Sequence, residues 1–482
     1  MLKLGVLLFF CPFVTVTAQT GAGNPGLPPP SPRINTIQTP PVSGSNPFQG
    51  SVPPADAPNG PLSLTLQDAI QRGLKYNLGL LLGDQSTRLA RAEELRARAA
   101  LLPALNGRIA NTVEQVNLAS FGFQISVPGF PIPSVVGPFN VFDARGFLSQ
   151  SIFNLAAIRN RHAAAESTKA AQFSVQDARD VVVQLVAAGY LQVIADDARI
   201  TESESEVKTA QALYQRALDM KNAGMVPAID LLRAQVELQS EQTRLRGYRN
   251  QKDKDLLSLA RLIGLRLETT LTLTDAIPYA PLAALQPQEA LNRALANRSD
   301  YKGASSQVRA AELARNAAVS ERMPNVALNA DYGTIGQSPW SNHGTFTVSG
   351  SVSFPIFDAG RIRADIEQAD ATLQQRRSEL DDLRQGIDQQ VRVALLDLQT
   401  AADQVAVAQS SVDLARQALT QAQDRFAAGV GDNIEVVQAQ TSVASASETY
   451  ISSVFAHNLA KVALARALGI ADQGVQQFLG GK

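Results

Sequence analysis

The stretch MKNAGMVPAIDLLRAQ, residues 220–235, reappears in altered form as RFAAGVGDNIEVVQAQ, residues 425–440, 205 positions further along the chain. This alignment places Gly224 on Gly429. Self-similarity at a fixed offset is the sequence signature of a repeated structural unit. The chain is therefore predicted to consist of two similar halves.

Two further matches support the repeat. DAIQRGL, beginning at Asp68, resembles EALNRAL, beginning at Glu289, at an offset of 221 positions. SIFNLAAIR, beginning at Ser151, resembles PIFDAGRIR, beginning at Pro355, at an offset of 204. The three matches occur in the same order in both halves. The offset changes because the segment between DAIQRGL and SIFNLAAIR in the first half is longer than its counterpart in the second half. A chance match at one place is plausible, whereas three matches in one order are not.

Each half carries a strand signal after its first helical region. In TFTVSGSVSF, residues 345–354, apolar and polar side chains alternate, which predicts a strand with one apolar and one polar face. The predicted apolar face comprises Phe346, Val348, Val352 and Phe354. The same alternation, weaker in the first half, predicts two β-hairpins, 104–153 and 325–357, and therefore four strands.

A long helical stretch follows each hairpin. Residues 155–221 and residues 362–428 contain no proline and one glycine each, and about 65 residues at 1.5 Å per residue predict helices of roughly 100 Å. A glycine-containing break and a second helix come next, so each half should contain a long helical hairpin. Apolar residues at alternating steps of four and three predict a coiled-coil seam: Val391, Leu395, Leu398, Ala402, Val405, Gln409 and Val412.

Composition excludes several classes of function. The chain has 43 Lys and Arg against 44 Asp and Glu, so it lacks the basic excess with which proteins neutralise nucleic-acid phosphates. A mean hydropathy of −0.05 argues against a bundle of membrane-spanning helices. His162, His343 and His457 show no metal-ligand spacing, and no phosphate-binding or GxSxG motif occurs. We therefore predict no enzyme activity, no cofactor, no metal and no nucleic-acid partner.

The N-terminus has the composition of an export signal. Lys3 precedes a short apolar run at residues 4–16, and small residues follow at 16–18. A buried N-terminal helix is the alternative. The only cysteine, Cys11, lies in this segment. The predicted organisation is a signal peptide 1–18, a Pro/Gly-rich linker or disordered arm 19–61, a first repeat 62–270, a linker 271–284, a second repeat 285–470 and a C-terminal tail 471–482.

Four strands cannot close a barrel. Eight strands are about the minimum, and open sheet edges are not tolerated in lipid. Either several chains assemble into a barrel, or the sheet packs on something else. Three chains would supply twelve strands. Assembly into a barrel predicts a fold that is mainly α with a membrane β-barrel portion.

This layout resembles the TolC-like outer-membrane efflux proteins, the outer membrane factor family, from about Pro61 to Ile470. In that family the second-half tip typically reads G…DVLDAQ. This chain has Gly429 followed by EVVQAQ at 435–440, and Gly224 followed by DLLRAQ at 230–235. The twice-repeated order of elements is more specific than either short motif.

The resemblance implies a homotrimer with a twelve-stranded barrel in the outer membrane and an α-barrel of helical hairpins through the periplasm. It implies a passive exit duct for efflux or type I secretion, surrounded by outer-membrane lipid. Its partners would be a periplasmic adaptor, or membrane fusion protein, and an inner-membrane pump. The alternative that the residues leave open is an exported coiled-coil scaffold without pore activity, whose strands form a small soluble sheet.

The resemblance also nominates residues for a pore constriction at the helical tips. Glu435 matches an acidic position of the family, whereas Gln438 stands where a second acid is usual, which puts cation selectivity in question. Asp230 and Arg233 hold the equivalent places in the first half and are candidates for polar contacts that keep the tip closed. The alternative is that all four are ordinary solvated helix residues.

The turns between the long helices are small and apolar where a solvent-facing loop should be polar, which suggests a docking surface. In the family, adaptor hairpins meet these turns, and the alternative is a simple helix C-cap. The residues nominated for adaptor docking are Ala223, Gly224, Met225, Val226, Pro227, Ala428, Gly429, Val430 and Gly431. A phenylalanine-rich loop, residues 120–140, is expected to pack on its neighbours in the trimer, to cover the outer mouth or to rest on the membrane interface.

Overall fold

The computed structural model describes residues 46–55, 60–121, 126–127, 130–131, 133–276, 279–282, 285–428, 430–431 and 433–479. The predicted signal peptide, most of the predicted linker, Gly429 and part of the phenylalanine-rich loop lie outside the described residues. The described helices are α1 (Leu66–Tyr76), α2 (Leu78–Ala99), α3 (Leu155–Asn222), α4 (Ala228–Leu262), α5 (Pro287–Asn297), α6 (Ser299–Ser320), α7 (Arg361–Ala427), α8 (Asn433–Ala467) and α9 (Ala471–Phe478).

The strands alternate with these helices in a repeated order. They are β1 (Leu62–Leu64), β2 (Ala104–Asn117), β3 (Ser126–Val127), β4 (Phe130–Pro131), β5 (Val135–Phe153), β6 (Leu271–Leu273), β7 (Asn325–Ser338) and β8 (Ser341–Ser353). Two short 3-10 helices span Pro47–Gln49 and Leu118–Phe121. Each half therefore reads helix, helix, strand, strand, long helix, helix, which confirms the predicted twofold repeat.

Four strands form one antiparallel sheet in the order β2-β5-β7-β8, and β1 pairs with β6 in a separate parallel pair. The register aligns Leu105, Leu148, Ala330 and Val348 in one row across the sheet. Because paired residues share a face of a sheet, this row lies on an apolar face, and the adjacent row, which contains Thr347, lies on the opposite face. The predicted alternation in β8 is confirmed.

The apolar face of the sheet is exposed. Ile109 has 79% of its surface accessible, and Phe346 has 73%. On the opposite face, Arg145 forms ion pairs with Asp143 at 2.6 Å and with Asp331 at 3.1 Å. An exposed apolar sheet face of this extent is unusual for a protein surrounded by water.

The helix α3 contains 68 residues and α7 contains 67, which at 1.5 Å per residue makes each roughly 100 Å long, as predicted. The apolar part of α3 is long and apolar enough to cross a membrane, but half of it is buried inside the fold. It contributes Val183, Val186 and Tyr190 to the main core. The apolar character of α3 is thus accounted for by protein packing.

The seam predicted along α7 is partly wrong. Its buried positions are Val391, Ala394, Leu398, Ala401, Val405, Ala408 and Val412. The residues predicted at the intermediate steps, Leu395, Ala402 and Gln409, flank this line instead. Alanine at every second seam position lets α8 approach closely, and larger side chains at the same places would hold the helices apart.

The main core lies where the short helices meet the long ones. The Tyr190 hydroxyl is 2.9 Å from the carbonyl oxygen of Leu64 and 3.1 Å from the carboxylate of Asp275. Asp275 also accepts a hydrogen bond from the backbone N–H of Leu66 at 2.7 Å. These bonds attach the linker between the repeats to the first repeat.

Two segments at the ends of the described chain are more ordered than their composition predicts. Residues 46–55, at the end of the predicted linker, pack on the core through Phe48, whose carbonyl oxygen accepts a 2.7 Å bond from the side chain of Asn77. The predicted tail 471–482 begins with α9, whose Ala471 and Val475 are buried. In both cases a few apolar side chains fix a segment that is otherwise polar or small.

Glycines at matching places end the second helix of each hairpin. Gly264, after α4, has φ +72°, and Gly469, after α8, has φ +69°, which is a conformation that only glycine adopts without strain. A Cβ on Gly469 would lie 2.7 Å from the backbone nitrogen of Arg298. The repeat thus preserves a backbone requirement as well as a sequence pattern.

We predict that Gly469→Ala destabilises the fold, because it adds left-handed strain of about 1–2 kcal/mol and a backbone clash. The thermal midpoint, followed by circular dichroism in detergent, should fall. Gly247→Ala in α4, where an added Cβ meets nothing within 4 Å, is the control and should raise the midpoint slightly. Equal midpoints for both variants would contradict the assigned role of Gly469.

Candidate functional site

The first tip, between α3 and α4, is a helix C-cap. Gly224 adopts φ +72°, and the N–H of Met225 donates to the carbonyl oxygen of Met220 at 2.9 Å. This is the bond pattern with which a left-handed glycine satisfies the last carbonyls of a helix. The side chains of the turn remain available on its outside.

The second tip, between α7 and α8, closes on a single carbonyl group. The N–H groups of Val430 and Gly431 both donate to the carbonyl oxygen of Arg425 at 3.1 Å. A Cβ on Gly431 would lie 3.0 Å from both the Cβ of Arg425 and the nitrogen of Phe426. A larger residue here would therefore require these neighbours to shift by a few tenths of an ångström.

Both turns expose apolar side chains. Met225 has 69% of its surface accessible and Val430 has 71%. On α4, half or more of the surface of each of Ile229, Leu232 and Val236 is also accessible. The other nominated docking residues that the structure describes are exposed or half-buried: Ala223, Gly224, Val226, Pro227, Ala428 and Gly431.

The residues nominated for the constriction lie just beyond the turns. Asp230 and Arg233 form an ion pair at 3.2 Å, with the Asp230 side chain largely shielded. Glu435 lies 3.5 Å from Arg425, both partly exposed, and Gln438 is exposed. The structure thus gives each tip an acid with an arginine beside it. Arg425 is a partner that the sequence analysis missed.

A hydrogen bond from Asn433 joins the two tips directly. The buried side chain of Asn433, the first residue of α8, donates to the backbone carbonyl oxygen of Asp230 at 3.1 Å. The sequence analysis missed Asn433 as well. Its only signal is an asparagine at a helix start, where capping of its own helix is the usual role.

An apolar cluster lies beneath the tips and joins α3 to the second hairpin. Its buried members are Ala422, Phe426 and Val436, packed against Leu213, Met220, Leu419 and Ala439. The guanidinium of Arg216 lies 5.9 Å from the centre of the Phe426 ring, within cation–π range. The two hairpins are thus held together by packing beneath the tips and by the Asn433 bond at the tips.

Across the described ranges of the chain, no group of three or more His, Cys, Asp or Glu side chains is arranged to hold a metal ion. His457 is buried and packs on the ring of Tyr279 at a centroid distance of 4.8 Å. The contacts present at the tips are ion pairs, a hydrogen bond between the hairpins and apolar packing.

Comparison with known families matches both halves of the chain. The family described as outer membrane efflux protein matches residues 69–265 and 290–470. These ranges coincide with the two structural repeats, since the gap between them contains β6 and the connection to α5.

The chain is 24% identical over 297 residues to the probable efflux pump outer membrane protein TtgC of Pseudomonas putida, and the match spans 60% of each protein. It is 24% identical over 433 residues to the pyoverdine export outer membrane protein OpmQ of Pseudomonas aeruginosa, which covers 86% of this chain and 87% of that protein.

Solved structures share the fold at lower identity. The CmeC outer membrane channel of Campylobacter jejuni matches with a TM-score of 0.73 at 17% identity, over 86% of each chain. The outer membrane protein VceC of Vibrio cholerae matches with a TM-score of 0.72 at 17% identity, over 84% of this chain and 96% of that one. With a family match through both repeats and the same architecture throughout, the chain belongs to the outer membrane efflux protein family.

Proposed function

We propose that three copies of this chain form a channel in the outer membrane of a double-membrane bacterium, through which substrates leave the periplasm passively. The proposal rests on two features of the sheet. The sheet exposes an apolar face, and among the described strands β2 and β8 are each paired on one side only. Three such sheets joined edge to edge form a twelve-stranded barrel, which satisfies every edge and turns the apolar face to lipid.

The polar face of the sheet then lines the barrel interior. It carries the ion pairs of Arg145 with Asp143 and Asp331, which are costly in contact with lipid and tolerated in a water-filled lumen. The long helices continue the barrel as a periplasmic tunnel of roughly 100 Å. Transport needs no catalytic group, since the duct only provides a path.

In this proposal the helical tips close the periplasmic end and contact the partners. Contacts at the tips hold the two hairpins of a chain together: the Asn433 bond to Asp230 and the apolar cluster around Phe426. A threefold ring of Glu435 would favour cations at the neck. The exposed Met225 and Val430 are the centre of the surface offered to a periplasmic adaptor.

The partner class rests on the relatives. TtgC is described as the outer membrane protein of an efflux pump, and OpmQ as one of pyoverdine export. We propose that this chain likewise serves a tripartite system, with a membrane fusion protein as adaptor and a pump in the inner membrane. The relatives' different substrates assign no single cargo to this chain.

The lipid-facing side of the sheet is tested by two neighbouring substitutions. Val348→Lys places a charge on the apolar face, which costs about 2–4 kcal/mol near the middle of a bilayer. Thr347→Lys places the same charge on the polar face and is the matched control. We expect V348K to lose insertion into liposomes while T347K inserts like the wild type. Equal insertion of both variants would contradict a membrane barrel.

The proposed pore constriction at Glu435 is tested by measuring conductance in a planar bilayer. We expect the purified wild type to form small, cation-preferring channels, and Glu435→Ala to enlarge them or to lower the cation preference, because it removes a carboxylate from the constriction. Glu379→Ala, at an exposed position of α7 far from the tip, serves as the control. If E435A leaves the channels unchanged, the chain still forms a duct, but Glu435 does not form its constriction. If the protein is instead soluble without detergent and never inserts into the bilayer, the result favours the alternative function, a coiled-coil scaffold.

The contact between the tips makes a separate prediction. Asn433→Ala removes the donor to the Asp230 carbonyl group, and the loss of such a bond costs about 1 kcal/mol. Amide hydrogen exchange at the second tip should become faster, and channel openings longer. Gln438→Ala, an exposed change in the same helix, should leave the exchange unchanged. If N433A exchanges like the wild type, this bond does not hold the tips together.

A further inference from the structure

A polar cavity of about 240 Å³ separates the two helical hairpins above the tips. All four long helices contribute to its wall, including Glu206 of α3, Glu241 of α4, Arg416 of α7 and Gln440 of α8. Gln440 follows the start of α8 by seven residues, so at 1.5 Å per residue the cavity lies about 10–15 Å from the second tip. Any movement of one hairpin against the other changes its shape.

The acids in this wall outnumber the cations that neutralise them. Glu202 is balanced, since it lies 3.3 Å from Arg416 and accepts a 2.8 Å bond from Ser447. One guanidinium serves two further carboxylates: Arg244 lies 3.0 Å from Glu241 and 3.6 Å from Glu206.

A fourth acid, Glu237, lines the same cavity. Glu206, Glu237 and Glu241 therefore share the single positive charge of Arg244. Two negative charges remain without a partner cation if all three carboxyl groups are ionised, which is unfavourable in a shielded site.

An independent observation is that two buried acceptor atoms at this cavity have no hydrogen-bond donor. Glu241 is only 4% exposed, and its Oε2 atom has no hydrogen-bond partner. The Oε1 atom of Gln440 is likewise buried without a partner. A buried acceptor left without a donor is costly, so the cavity is expected to bind something that supplies one.

The donor that fits this site is a proton on a neighbouring carboxyl group. No described group of acids here is arranged to hold a metal ion, and a protonated carboxyl supplies an O–H donor and also removes one negative charge. We propose that Glu206, Glu237 and Glu241 form a proton-binding site between the two hairpins, with the proton carried chiefly by Glu206 and shared with the Glu241 carboxylate.

The electrostatics support Glu206 as the carrier. Burial, followed by the negative charge of Glu241, raises the pKa of Glu206 to about 7 from the usual 4.5. The same two causes, in the same order, raise the pKa of Glu237. The charged groups facing Glu206 are Glu202 on its own helix, Glu237, Glu241 and Arg244 on α4, and Arg416 on α7, while α8 contributes the neutral Gln440.

The sign of the pH dependence follows from this raised pKa. A carboxyl group whose pKa is higher in the folded protein stabilises the fold fully below about pH 4.5, and this contribution is lost as the pH rises through about 7. When Glu206 loses its proton to water, a negative charge appears opposite Glu241. The packing of α3 against α4 within the first hairpin is then weakened.

One consequence rests on the proposed channel function. Because the cavity lies near the contacts that join the tips, deprotonation should loosen the first hairpin, disturb those contacts and favour an open tip. Protonation should favour the closed tip. The proton site itself does not depend on this consequence, and the two are measured separately.

The site is tested by infrared difference spectroscopy on the folded protein in detergent, which detects the protonated carboxyl band. We expect one carboxyl to titrate near pH 7 in the wild type, to disappear in Glu206→Gln, and to persist in Glu204→Gln. Glu204 lies two residues away in an exposed ion pair with Arg249 and is the matched control. Glu241→Gln should lower the midpoint, since it removes the facing charge.

Two results would overturn the proposal. One is a wild-type spectrum in which no carboxyl titrates above about pH 6, a result that needs no variant to fold. The other is a band near pH 7 that survives in E206Q. Loss of the band in E206Q together with its persistence in E204Q establishes the site.

The coupling to the tip is then tested by channel opening between pH 6 and pH 8. We expect the wild type to open more often as the pH rises and E206Q to remain at its low-pH behaviour. If the protein forms no channels while the infrared titration is present, the proposed function fails and the proton site stands. If channels form and no carboxyl titrates, the proton site fails alone.

Discussion

The unsatisfied backbone groups at the two sheet edges constrain the rest of the structure. In the described chain, β2 and β8 each carry a row of N–H and C=O groups with a partner on one side only. In water such edges are a liability, and in lipid they are not tolerated. In the proposed channel these edges meet those of other copies, and the exposed apolar face meets lipid. The proposed assembly thus satisfies the hydrogen bonding of each chain's sheet edges and brings the long helices together around one axis.

The architecture was predictable from sequence because it depends on periodicity and on breaks. Alternation in residues 345–354 specified a strand face, and the absence of proline over residues 362–428 specified a helix. The finer packing was less predictable. Both Leu395 and Ala394 satisfy a coiled-coil pattern, and only the close approach of α8 selects the smaller one. Composition also underestimated the order of residues 46–55, where Phe48 packs on the core.

The candidate site was predictable only in part. The two turns were located because the repeat aligns Gly224 with Gly429, and the acids Asp230 and Glu435 because they follow these glycines at the same distance. Asn433 was missed because its bond crosses between the halves, to a backbone atom that has no sequence signature. The acids of the cavity were missed for a different reason. Glu206 and Glu241 are ordinary helix residues until folding places them on one guanidinium.

The distribution of polar contacts suits a duct whose proposed gate lies at the tips. Near the middle of α3, the repeats are joined by buried apolar side chains around Tyr190, and hydrogen bonds to Asp275 attach the linker. Toward the tips, this packing gives way to a small cluster around Phe426 and to polar contacts such as Glu202 with Ser447. Polar contacts can be replaced by water at little cost, whereas apolar packing cannot. The chain therefore concentrates its apolar packing near the middle of α3 and its polar contacts toward the tips, where the proposed opening takes place.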